Sequence, residues 1–258
     1  MPTLSYDLHV HPGPSATPRW GGGARVYQAA VAAGVRGFVW KAHEEHTIQH
    51  VRRLPATPVR VIGSASLNPW AYCADIVAAV QAGAQWLWGP TVNAGGEISW
   101  DLPLPHSWGP VARFLADHRR PLILATGHLG AEGRAAFAAL AAKNDLLLCS
   151  ITHSLYVPQE EALSLAATCA VFEIDAYTYI TEIEGRVRGD VGEHVQVLAG
   201  AGALVYFTSD GGQASTGNPF EFGARVLDTM AEKIGLEAAR LLGIENPASL
   251  VHRLDWAA

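Results

Sequence analysis

The 258 residues are long enough for one large or two small domains, and with 49% hydrophobic and 16% charged residues they supply a sizeable core and exclude a disordered chain. The formal net charge of −6, with basic residues that do not cluster, argues against a nucleic-acid partner. No apolar run approaches the roughly 20 residues that span a bilayer, so no membrane association is expected.

Strand-like apolar runs recur at even intervals, each followed by an Ala-rich segment of helical spacing. The first, residues 5–11, alternates apolar and polar side chains, so Asp7, His9 and His11 share a face; a helix is expected near 24–33. The second strand spans 35–41 and leads into a short helix near 45–53; the third, 58–64, precedes a helix near 70–82. The fourth, 84–88, runs into a long loop, 89–106, and a helix near 108–118. The fifth, 121–126, and the sixth, 145–150, are followed by helices near 131–142 and 158–168. The seventh, 170–175, and the eighth, 203–209, precede helices near 188–200 and 220–234, and the last twenty residues read as a terminal helix and tail. Gly34, Gly83 and Gly202 stand between a helix and the next strand, where a C-cap glycine belongs.

Near-continuous apolar strands are those of a parallel sheet buried on both faces. Eight βα units without a composition break predict an α/β fold, a single-domain (β/α)8 barrel over residues 1–258. A doubly wound open sheet is the alternative, but no Gly-rich dinucleotide fingerprint follows the first strand. Met1-Pro2-Thr3-Leu4 carries neither a basic region nor an apolar stretch, so no signal peptide is read. Cys73, Cys149 and Cys169 lie scattered in apolar runs and read as reduced thiols, which predicts a cytoplasmic protein.

Barrels of this kind carry their chemistry at the C-terminal ends of the strands. The first strand ends in His9 and His11, the second in Lys41 and then His43, the fifth in His128, the sixth in His153 and the eighth in Asp210. Each alone is weak: His128 serves equally well as a hydrogen-bonded loop histidine, and Asp210 as the N-cap of the next helix. Together they are the donor types that bind a divalent cation.

The pattern Asp-x-His-x-His on strand one, His after strands five and six and Asp after strand eight resembles the amidohydrolase superfamily, over about residues 5–215. The resemblance is to its stand-alone barrels, and the Lys41-x-His43 pair is similar to a small uncharacterised amidohydrolase-like family. It implies that His9, His11 and Asp210 hold one metal and His128 and His153 a second, two zinc ions or else manganese, iron or cobalt. An anionic side chain would bridge them. In the superfamily that bridge usually comes from strand four, where this chain has only Gly89-Pro90-Thr91-Val92-Asn93. Lys41 is the natural substitute: an ammonium facing two cations is repelled, whereas carbon dioxide addition turns the amine into an anionic carbamate. Otherwise Lys41 stays cationic and meets an anionic substrate beside a single metal. Glu173 is a further candidate bridge. His43 contacts substrate, caps the second metal or is a satisfied loop histidine. His46 and His50 lie at i, i+4 on the expected helix, but His43-Glu44-Glu45-His46 is one residue short of His-Glu-x-x-His, so both read as solvated or capping. His106, His118, His194 and His252 have no strand-end context.

The implied activity is a metal-dependent hydrolase that uses a metal-activated hydroxide at a binuclear centre, on an amide, cyclic amide, lactone or related carbonyl bond of a small molecule. Asp210, His153 and Lys41 would be catalytic. Arg19, Tyr72, Tyr177 and His43 are the candidate substrate contacts, with Trp20, Asn68, Tyr179 and Arg186 in the same loops and Trp100 in the loop after strand four. The alternatives are a PHP-type phosphoesterase, a single-metal deaminase and a barrel with a purely structural metal. A homo-oligomer is compatible with the sequence.

Overall fold

The computed structural model describes residues 4–44, 46–168, 170–181 and 190–255. Glu45, Cys169, Arg186 and the start of the helix expected over 188–200 lie outside the described residues. Among the described residues nine short parallel strands form: β1 (Tyr6–Val10), β2 (Gly37–Trp40), β3 (Arg60–Ile62), β4 (Ser64–Ser66), β5 (Trp86–Trp88), β6 (Leu122–Ala125), β7 (Leu147–Ile151), β8 (Val171–Asp175) and β9 (Leu204–Thr208). Their order follows the chain in two sheets, β1-β2-β3 and β4-β5-β6-β7-β8-β9. β3 and β4 are one run broken at Gly63, where a Cβ would lie 2.2 Å from Ile48 Cδ1. At the other junction Val10 pairs with Gly211 in a parallel bridge. Asp7 also accepts hydrogen bonds there from the Thr208 hydroxyl and, at 3.0 Å, from the Ser209 amide. The eight predicted strands thus form an eight-stranded parallel α/β barrel.

The helices follow from their apolar spacing. The longest described helix, α9 (Pro219–Ile234), has Pro in its first turn and an Asn218 side chain that accepts from Phe220 N at 3.2 Å. It buries Phe220, Phe222, Val226, Leu227 and Met230, one face at a period of 3.6. Each such side chain contributes about 1.5–3 kcal/mol on burial. Of the others, α1 (Gly23–Ala33) ends at Gly34 in left-handed backbone, φ 70°, as expected of a C-cap glycine. α2 is only Ile48–Val51, shorter than predicted, so His46 precedes it and does not share a helix face with His50. α7 (Ala176–Thr181) was not foreseen: it leaves β8 without a loop.

Val39, Ile62, Trp86, Trp88, Ile123, Ala125, Val171 and Tyr206 pack in one cluster, which Leu250, Val251 and Leu254 of the C-terminal helix α11 (Asn246–Arg253) and its cap join. The Leu254 carbonyl accepts from Gln85 Nε2 and Asp255 pairs with Arg60, so the end of that helix lies at the strand N-termini. The opposite, C-terminal rim is left for loops and polar side chains.

Candidate metal centre

β1 and β9 bring the first group together at the barrel seam. His9 Nε2 and His11 Nε2 lie 3.2 and 3.0 Å from Asp210 Oδ1, and all three residues are buried. His9 Nε2 has no hydrogen-bond partner despite that proximity. Two backbone features make the approach possible. Gly212 has φ 102°, and a Cβ on it would lie 2.6 Å from the His11 carbonyl. Asp210 itself adopts left-handed backbone, φ 45°. It is not a helix cap, since Asn218 takes that place.

The far nitrogens of the histidines are held by the protein. His9 Nδ1 donates to Glu173 Oε1 at 3.0 Å, and His153 Nδ1 to Asp175 Oδ2 at 2.8 Å. His128 Nδ1 donates to the Ser99 carbonyl at 2.8 Å, and His43 Nδ1 shares a 2.8 Å hydrogen bond with Thr91 Oγ1. Each such bond fixes a ring and leaves Nε2 as its remaining donor atom, the usual arrangement behind a metal-binding imidazole. Glu173 Oε2 in turn accepts from Tyr206 Oη at 3.0 Å, and Tyr206 shares a 2.8 Å hydrogen bond with Ser150. Thr178 fixes Asp175 through its amide and hydroxyl, both at 2.7 Å.

His153, like Asp210, is left-handed, φ 52°. Its ring stands 5.5 Å from that of His9 and 5.1 Å from that of His128. Gly127 lets the loop after β5 meet the end of β6: its φ is 58°, and a Cβ there would sit 2.5 Å from the Gly89 carbonyl. Trp100, from the long loop, stacks on His128 at 3.9 Å and meets His153 edge-on. A cavity of about 440 Å³ opens beside them, with Tyr156 and Arg134 in its wall.

Lys41 is 1% exposed, and its Nζ lies 4.3 Å from the centre of the Trp88 ring with no hydrogen-bond partner. Burial pulls its pKa down to about 8, against Asp210 and Glu173, which raise it. Burial also drives the His9 pKa down to about 3 and those of His11, His43 and His128 well below the ordinary value. These rings are therefore neutral, as metal ligands must be. At His153 burial acts the same way but is outweighed by Asp175, with Asp210 and Glu173, and the pKa rises. Burial lifts Glu173 to about 7.

The residues fit a divalent cation. Buried donor atoms of His9, His11 and Asp210 lie within 4.8 Å of one another, and one of them lacks any partner. Two further groups, His9-His153-Glu173 and His153-Asp175-Asp210, overlap the first. The hydrogen bonds of His9 and His153 to the two carboxylates mark Glu173 and Asp175 as their anchors. Among the described residues His128 belongs to no such group of three.

Of the other candidates, Arg19 lies within electrostatic reach of Asp210, and the Tyr177 hydroxyl has its pKa raised by burial and by Asp210 and Asp175. His43 stacks on His11 at 4.6 Å. Tyr72 is 75% exposed at the start of α3 (Cys73–Gln81) and borders a separate hollow with Trp70 and Asp75. The sequence reading missed Asp175 altogether. Its signal was present: Glu173 and Asp175 stand two apart in an otherwise apolar strand, which puts two acids on one face.

A model of a family of unknown function (DUF6282) matches residues 5–102, the stretch from the first strand past Lys41 and into the long loop. No curated protein matches the sequence. Among solved structures the chain is similar to a Xaa-Pro dipeptidase with bound methionine (TM-score 0.61, 12% identity, 98% of this chain and 76% of that one). It is similar to an ochratoxinase from A. niger (TM-score 0.60, 13% identity, 97% and 71%). It is also similar to an enamidase, a member of the amidohydrolase superfamily (TM-score 0.60, 16% identity, 97% and 67%). At these identities the likeness is one of fold.

Proposed function

We propose that the protein is a metal-dependent hydrolase of the amidohydrolase superfamily, acting on an amide, cyclic amide, lactone or related carbonyl bond of a small molecule in the cytoplasm. The observation that carries this reading is the buried convergence of His9, His11 and Asp210, with His9 and His153 each braced by a carboxylate. A divalent cation, zinc or else manganese, iron or cobalt, polarises a carbonyl oxygen and lowers the pKa of water from about 15.7 to about 7.

His9, His11 and Asp210 would hold one ion. His128 and His153 would hold a second, with Lys41 as its carbamate supplying the anionic ligand between them. Forming the carbamate joins neutral Nζ to carbon dioxide and releases one proton. It replaces a buried, unpartnered cation with an anion that can be satisfied. The Asp210 carboxylate would take a proton from the attacking water and return it to the leaving group. Trp100 and Tyr156 would wall the substrate in the cavity beside His153 and exclude solvent.

Elemental analysis of the purified chain, coupled to hydrolysis of a panel of dipeptides, N-acyl amino acids, cyclic amides and lactones, tests this. Two equivalents of metal and a chelator-sensitive activity are expected; a folded chain with no affinity for divalent metal would sink the reading. One ion per chain is the second reading, favoured by the position of His128 outside the described groups of three. One equivalent with release of ammonia from an amino-substituted ring would identify a deaminase. Three equivalents with phosphatase activity would identify a PHP-type phosphoesterase.

A further inference from the structure

A second hollow lies to the side of the metal-facing histidines, walled by the loop after β1 and by α2. It holds about 890 Å³, against about 440 Å³ for the cavity at His128 and His153. Among the described residues the charged part of its lining has one sign: Arg19, Arg25 and Arg53, with no described carboxylate beside them. A chain of net charge −6 has more acids than bases to spread over its surface, so a wall with three guanidinium groups and no described acid stands out. Trp40 and Leu54 provide an apolar floor.

Arg25 and Arg53 form no ion pair with a described residue. Arg25 lies on the Trp20 ring at 4.2 Å and donates to the Trp20 carbonyl at 3.1 Å, contacts that orient it without cancelling its charge. No described residue forms an ion pair with Arg53, which is exposed. Arg19 lies deeper: its Nε is shielded from solvent and meets no acceptor, and its Nη2 reaches only the Ser15 hydroxyl at 3.3 Å. Arg19 also feels the Asp210 and Glu44 carboxylates, so it is the partly compensated member of the three. Glu44 itself is engaged by Ser15 Oγ at 2.8 Å and Ala16 N at 3.1 Å. A guanidinium with open N–H groups is shaped to take two oxygens of a carboxylate or phosphate.

We propose that this hollow is an oxyanion subsite: Arg19, Arg25 and Arg53 hold a carboxylate or phosphate group of the substrate, and Trp40 and Leu54 cover the apolar part next to it. That the anion belongs to a substrate rests on the hydrolase reading; the affinity of the hollow for an anion does not. The test is calorimetric titration of the full-length protein, as purified, with inorganic phosphate and separately with succinate. It is run on the wild type, on an Arg25→Gln/Arg53→Gln double variant and on Asp210→Asn. Arg25 and Arg53 are exposed, so the double variant should melt with the wild type. At least one anion is expected to bind saturably, about tenfold or more weakly to the double variant and with little change to Asp210→Asn. Preference for phosphate or for succinate identifies which group the substrate carries. No saturable binding of either anion, or equal binding by wild type and double variant, overturns the subsite. Loss in Asp210→Asn alone assigns the anion to the metal centre and also overturns it, leaving the hydrolase reading intact. Arginine-dependent binding in a chain without metal or hydrolysis keeps the subsite and removes the hydrolase.

Discussion

His153 and Asp210 share a backbone state that a non-glycine residue enters at a cost of about 1–2 kcal/mol. Both stand at the ends of barrel strands with their side chains in the buried polar group, so the strain coincides with the candidate site. Asp175 braces one of them. Asp175→Asn should lower affinity for the ion held by His153 by about 10–100-fold while the chain still folds, because the ring loses its charged anchor; metal titration with unchanged affinity would reject that role. Lys41→Ala should lose hydrolysis and regain part of it with added formate or acetate; an alanine variant active unaided would remove the carbamate. His194 offers a pH test away from the ligands. It is buried beside Ser154, at 3.3 Å, and burial lowers its pKa. The unfolded chain then binds the extra proton more readily, so this contribution to stability is present above about pH 6.5 and is lost as pH falls below it. His194→Gln should therefore lose less melting temperature than the wild type between pH 7.5 and 5.5; parallel curves would refute this.

The elements show why strand ends were easier to read than helix starts. Each strand is an apolar run, and burial on both faces needs no periodicity to be seen. α7 was missed because Ala176-Tyr177-Thr178-Tyr179 follows β8 with no turn residue to announce a helix; its first turn is set by the Thr178 amide on Asp175, a tertiary detail that only the folded chain reveals. The closeness of Ile48, from another element, to Gly63 at the break is likewise a tertiary detail. Glycines rank by the same logic. Gly34 has φ 70° with open space around it, so Gly34→Ala should cost only about 1–2 kcal/mol. Gly127→Ala carries that strain plus a collision with the Gly89 carbonyl, and should melt clearly lower than Gly34→Ala. Equal melting of the two variants would show that the loops after β5 and β6 can part without loss.

For the whole molecule, the barrel and the convergence of His9, His11, His153 and Asp210 were legible because parallel strands must end on one rim, and polar residues recur there. The bracing carboxylates were less legible, since nothing in a sequence says which acid faces which imidazole across the barrel. The apolar cluster around Trp86 and the helices outside it do not depend on an ion. A chelator should therefore lower the melting temperature yet leave a cooperative transition, and an ion present at 100 times its Kd should restore about 2.7 kcal/mol. Collapse into a non-cooperative state on chelation would mark the metal as structural instead.

The seam between β1 and β9 has a consequence for how such a centre is filled. The bonded pair Asp7 and Thr208 are 201 residues apart, and His9, His11 and Asp210 flank them. A nascent chain presents both imidazoles early in synthesis but gains their carboxylate partner only once nearly every other strand has left the ribosome. On the proposed reading, an ion held by His9, His11 and Asp210 would load only after translation of the ninth strand, and a chain truncated ahead of it would keep the two histidines without their carboxylate.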